Sequence, residues 1–256
     1  MKMNLTRKKA FLAHFCLSAL VVLTVLTVIL SLWYPGPFFQ IVGAFDAIKI
    51  LIGVDLVLGP LLTLILFKPG KWGLKFDMGM VATIQLAALV YGVHTLYIER
   101  PYYAVFMADR FEILAERDVD KSKISNDAFL DKPWNGPIFV VAEMPADQKE
   151  RSKITEEIFF EGGRDVHRRP ELWQPYAEAV ADVARNAKPL QDLLQKRPDL
   201  ESEIKDFLEK QESYIYIPVM GRKDILTMVL DAESLKPIDV IHADPWDKAQ
   251  VTAGRN

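Results

Sequence analysis

Hydrophobic positions follow two different patterns along the chain. Ala10 to Trp33, Ala47 to Phe67 and Met78 to Ile98 are nearly unbroken apolar runs, whereas beyond Arg100 the apolar residues come in short strand-like stretches and helical stripes between charged turns. At about 1.5 Å per helical residue each long run reaches roughly 30 Å, the hydrocarbon thickness of a bilayer. The runs predict three transmembrane helices over about 10–33, 47–67 and 78–98, within a membrane domain over 1–99. The first follows the basic "TRKK", as a secretory signal would. It outruns the usual apolar stretch of about 7 to 15 residues, and "SLWYPGPFF" offers no small-x-small cleavage site, so it is expected to stay as an anchor.

The remainder, 100–256, predicts a soluble α+β domain. Pro101 disfavours helix at the residue before it and so ends the third helix. Tyr102 to Met107 and Phe111 to Ala115 flank the turn-like "ADR" and predict a hairpin, and "IFVVAEM" a third strand. From Asp147 to Ser213 the pattern is charged and helical; "PELWQPYAEAVADVARNA" sets Leu172, Tyr176, Val180 and Val183 on one face. "YIYIPVM", "ILTMVLD" and "IDVIHA" predict three closing strands, and "KAQVTAGRN" a loose tail. Strands, helices, then strands again argue for a largely antiparallel sheet.

Charge separates the same two parts. Up to Arg100 there are nine Lys or Arg and four Asp or Glu; the rest holds 22 and 30. Lys2, Arg7, Lys8 and Lys9 precede the first run, and Lys68, Lys71 and Lys75 lie between the second and third, while Tyr34 to Phe45 has none. Positively charged loops stay cytoplasmic. The amino terminus is therefore expected in the cytoplasm and the acidic domain on the far side. Cys16, the single cysteine, permits no intrachain disulfide.

One carboxylate lies deep in an apolar run. Asp55 costs about 3 kcal/mol at a helix centre, and the fourteen Leu, Ile, Val and Phe of Ala47 to Phe67 return about 6, so the segment still inserts. Asp55, Gly59 and Thr63 form a small and polar stripe of the kind that faces another helix. Gln85, Ala88 and Gly92 form a second stripe on the third run. Counted from the cytoplasmic ends, Asp55 is about 18 Å deep and Gln85 about 12 Å, which predicts a hydrogen bond between them. Pro60 should kink its helix and free a carbonyl near Leu56. These seven residues are the candidates for helix packing or partner binding.

Catalysis has less support. An intramembrane aspartyl protease needs two carboxylates in contact, and Asp46 and Asp77 lie at opposite rims from Asp55's depth. A proton or ion relay lacks a chain of exchange sites. His14, His94, His167 and His242 are scattered without metal-ligand spacing, and no nucleophile elbow, phosphate loop or dinucleotide fingerprint occurs. No metal, cofactor or nucleic acid is expected. "GGRDVHRRPE" supplies Arg164, Arg168 and Arg169, able to grip an acidic partner but more often a solvated turn. A sensor would need a cytoplasmic output domain, for which the short amino terminus and one loop are too small.

"GVDLVLGPLLTLILFKPGK" followed by "LKFDMGMVATIQLAALVYGVHTLYIERPYYAVFMADRFEIL" resembles the TfpX/TfpZ type IV pilin accessory proteins, the group that includes FimB. The likeness is strongest from Ile50 to Leu114. Its signature positions here are Asp55, Gly59, Pro60, Lys68, Pro69, Asp77, Arg100 and Pro101, and the resemblance supplies no catalytic role for any of them. The resemblance implies a non-enzymatic protein of a Gram-negative inner membrane, with a periplasmic carboxyl-terminal domain. Such a protein assists the stability, assembly or surface display of a type IV major pilin, in contact with membrane lipid and other pilus assembly components. The alternative is a membrane-anchored periplasmic hydrolase or protease acting on pilin.

Overall fold

The computed structural model describes residues 6–209, 213–222 and 224–247; Lys2 and the tail over 248–256 lie outside them. The chain divides into two compact units, Met1–Trp33 with Ala44–Glu99, and Tyr34–Gly43 with Arg100–Asn256.

Three helices build the first unit: α1 (Arg7–Trp33), α3 (Phe45–Leu66) and α4 (Leu74–Ile98), each long and apolar enough to cross a membrane. The short α2 (Phe38–Ile41) between α1 and α3 belongs to the second unit. Polarity in the first unit is inverted relative to a water-soluble bundle. Leu17, Leu20, Leu23, Ile50, Ile65 and Leu86 are exposed, while Ser18, Asp55, Thr63 and Gln85 are buried. Outward hydroxyls are satisfied within their own helices: Thr24, Thr27 and Thr95 donate to the carbonyls four residues back at 2.8, 2.8 and 2.9 Å. That arrangement suits a solvent without hydrogen-bonding groups. Between α3 and α4 the chain turns through Gly70 and Gly73, both at positive φ. Near the other end of α4, the rings of Trp33 and Tyr97 meet edge to face at 5.1 Å.

The second unit is an eight-stranded sheet with helices. Its strands are β1 (Tyr103–Met107), β2 (Arg110–Leu114), β3 (Ile138–Ala142), β4 (Trp173–Pro175), β5 (Lys188–Pro189), β6 (Tyr214–Met220), β7 (Ile225–Asp231) and β8 (Pro237–Ile241). Helices α5 (Gln148–Phe160), α6 (Tyr176–Asn186), α7 (Leu190–Lys196) and α8 (Glu201–Leu208) lie between β3 and β6. Strand order is β4-β3-β1-β2-β6-β7-β8, with β5 also on β6.

The sheet is mixed, which corrects the expectation of a largely antiparallel one. The hairpin β1–β2 stands at its middle, and both outer neighbours run parallel to the strand they join: β3 to β1 and β6 to β2. Each arrives by a crossover, through 3-10 turns before β3 and through the helical region before β6. A pattern of consecutive strands shows which hairpins form, and it is silent on where a strand lands after a long connection.

Strand β1 is buried on both faces. Ala104 and Phe106 join Phe111, Ile217, Met228 and Val183 on one side; Tyr103 and Val105 join Val140, Phe129 and Trp173 on the other. The expected helix over "PELWQPYAEAVADVARNA" starts only at Tyr176. Pro175 cannot donate to a helical ladder, so Trp173–Pro175 pairs with β3 and Leu172 falls outside the helix. A third cluster packs Leu190, Leu193 and Ile204 under Tyr216 and Val229.

The connection between α1 and α3 carries its own core residues. Phe38 and Ile41 of α2 are 5% and 2% exposed and pack with Phe106, Phe111 and Ile217.

Candidate functional site

The polar residues of the first unit converge on one seam between the three apolar helices. Its centre is a π-helical stretch, Gly53–Leu58, in the middle of α3. There the Gly59 N–H reaches the Val54 carbonyl, five residues back. Continued one step, that pattern would give the Asp55 carbonyl to the N–H of residue 60. Residue 60 is proline and has none.

Gln85 fills the place. Its Nε2 donates to the Asp55 main-chain oxygen at 3.3 Å from α4, with both residues buried. The expected bond between Asp55 and Gln85 is thus made through the backbone, and the carbonyl left by Pro60 is that of Asp55, one residue earlier than a regular α-helix would put it. Gly59 makes the approach feasible, because a Cβ there would overlap the Gln85 amide. Hydrogen bonding explains why a buried amide belongs in this bundle: a buried acceptor left without its partner costs about 1–3 kcal/mol, the loss that Gln85 prevents.

Thr63 turns to α1, where its hydroxyl lies 2.5 Å from His14 Nδ1. Ser18, one turn further along α1, is also buried. His14 and Ser18 therefore form the third wall of the seam. Their four-residue spacing within an oily run was the available sequence signal, although the pairing of His14 with Thr63 could not be read from it. Gly92 backs onto Leu51, where an added Cβ would stand 3.2 Å from Leu51 Cδ1, and Ala88 is half-buried on the same helix. Asp55 is 6% exposed, and its Oδ2 has no hydrogen-bond partner among the described residues.

The small and polar stripes are thus consumed by contacts inside this chain. Asp55, Gly59, Pro60, Thr63 and Gln85 are all buried within the helical unit. At the end of the bundle where α1 begins, Arg7 Nε donates to the Phe67 carbonyl at 2.9 Å, capping α3. Lys68 and Pro69 are exposed in the following turn, and Asp77 pairs with Lys71.

Arg100 and Pro101 are buried in the second unit, where Arg100 binds Glu116 at 2.9 Å. The three arginines of the basic loop are used unequally. Arg169 is held by Glu157 at 2.9 Å and by the Arg164 carbonyl at 2.7 Å. Arg168 donates to His167 Nε2 at 3.3 Å, and Arg164 is exposed. Together with Glu157, Glu171, Asp120 and Lys123 they line a hollow of about 220 Å³ that mixes both signs of charge. His167, next to Arg168 in the chain, is buried, and desolvation pushes its imidazole below the usual histidine range. A second hollow of about 820 Å³ is walled by Pro35, Phe38, Phe139, Tyr176 and Val180, with Lys236 its one charged side chain. Among the described residues no group of three His, Cys, Asp or Glu is placed to hold a metal ion.

The model of the fimbrial assembly protein FimB matches residues 4–43, the stretch that contains α1 and α2. That is upstream of Ile50 to Leu114, where the resemblance in motifs is strongest. Fimbrial assembly proteins of serogroups I and E1 of Dichelobacter nodosus are each 29% identical over 244 residues, covering 91% of this chain and 94% of the relative. The fimbrial assembly protein of serogroups C1 and C2 is 38% identical over 109 residues, 41% of this chain and 82% of that protein. No solved structure matches. By the last of these identities, and by relatives aligned across nearly its whole length, the chain belongs to the FimB family of fimbrial assembly proteins.

Proposed function

We propose that this protein is a non-enzymatic accessory of type IV pilus assembly that binds the major pilin in the inner membrane of a Gram-negative bacterium. In this reading α1, α3 and α4 span the bilayer, the amino terminus is cytoplasmic and the second unit is periplasmic. The observation that carries it is the match across 91% of the chain to proteins named for fimbrial assembly. The inverted polarity of the helical unit supports the membrane setting, and the basic residues around the α3–α4 turn support the orientation.

The seam gives this role a physical basis. Its polar groups lock three helices into a platform whose outward faces are apolar, and an apolar pilin helix can lie against such faces by van der Waals packing. The platform performs no chemistry on its partner. Deleting the gene and comparing total with surface pilin tests the proposal. Lower total pilin is expected if the protein stabilises subunits, and unchanged total with fewer fibres if it aids assembly. Unchanged values of both would refute it.

A further inference from the structure

Three cations gather around one tyrosine ring where the second unit begins. The Arg100 guanidinium carbon lies 5.2 Å from the Tyr102 centroid, Lys121 Nζ 4.9 Å and Lys132 Nζ 5.8 Å. All three lie within the roughly 6 Å at which a ring face attracts a cation, a local concentration of positive charge. The floor of the cluster is buried, with Tyr102 at 5% and Arg100 at 7% exposed.

The charges are unevenly answered. Glu116 is shared between Arg100 and Lys121. Lys132 meets the carbonyl oxygens of Gly136 at 2.8 Å and Pro133 at 3.3 Å, and forms no ion pair among the described residues. Its ammonium has three donors, so one remains for a ligand. Burial first, and the Arg100 charge second, push Lys132 below the usual lysine range, with Glu116 opposing them in part. A site that discourages its own cation is relieved by an anion.

We propose that Arg100, Lys121 and Lys132 form a binding site for a phosphate group, borne by an anionic phospholipid headgroup or free in solution. A phosphate offers three acceptor oxygens and up to two charges, which answers three cations sharing one carboxylate better than a single further carboxylate would. Arg100 follows the last residue of α4 by two positions, at most about 7 Å of chain. Arg222 and Arg100 also both act on the Tyr34 hydroxyl, in the residue directly after α1. Along the chain, Tyr34 and Arg100 follow the ends of two apolar helices by one and two residues, and headgroup phosphates attract basic residues that flank such helices. This inference is independent of pilin binding.

The test is thermal unfolding of the full chain in a neutral detergent with added phosphatidylglycerol, diacylglycerol or inorganic phosphate. Stabilisation by phosphatidylglycerol but not diacylglycerol, with the half-maximal concentration raised at least ten-fold in a Lys121→Met/Lys132→Met variant, supports a lipid-borne phosphate. Saturable stabilisation by inorganic phosphate with the same loss supports a soluble one. A Lys121→Arg/Lys132→Arg variant retains the charges and should retain binding, which separates loss of the site from loss of the fold. No stabilisation by either phosphate source, or equal stabilisation of the methionine variant, would overturn the site.

Discussion

At the scale of single residues, the helical unit turns on one missing hydrogen. Pro60 deprives the Asp55 carbonyl of its main-chain donor in the π-helical register, Gln85 supplies one from another helix, and Gly59 leaves room for it. Removing the donor alone should be expensive: Gln85→Leu should cost about 1–3 kcal/mol, the range for a buried acceptor left without its partner. Restoring the main-chain N–H should make Gln85 dispensable. In a Pro60→Ala background the same Gln85→Leu change should therefore cost at least about 1 kcal/mol less, a coupling within the range of contacting residues. Detergent unfolding of the four proteins of this cycle measures it. Additive costs would mean that Gln85 does not stand in for the N–H that Pro60 lacks.

At the scale of elements, α2 is a short helix with a large share in its unit's core. Gly221, directly after β6, lies so close to the Ile41 carbonyl that a Cβ would overlap its oxygen. Gly221→Ala should consequently force α2 away and lower stability by about 1–3 kcal/mol, as overpacking does; an unchanged unfolding temperature would show that α2 is not seated there. The apolar helices were legible because length and composition alone decide them. The hairpin β1–β2 and the long strands β6 and β7 were legible because their turns are local. Parallel pairing of β3 with β1 and of β6 with β2 was not, since it depends on where the chain returns after a crossover. Strands β4 and β5, of three and two residues, are too short for any alternation to show. In the seam, Asp55, Gly59, Thr63 and Gln85 announced themselves as polar or small residues in oily runs. The acceptor on Asp55 did not, because the π-helical register that selects its carbonyl is a property of the folded backbone.

At the scale of the whole molecule, the proposed arrangement has one acidic soluble unit outside the cytoplasm and three helices in the bilayer. A phosphatase reporter fused after Asn256 should be active only when exported, and activity confined to a cytosolic reporter at that position would reverse the orientation. Nothing in this scheme asks the protein to break or form a bond. Its claim is association: the helices are packed by their own polar groups, and their apolar faces receive pilin. Co-purification of pilin with the full chain from membranes in mild detergent measures that association directly. The account expects pilin to be recovered with the wild-type protein and largely lost with Gln85→Leu at equal abundance, because the donor that closes the seam is then missing. Absence of pilin from the wild-type complex would contradict it.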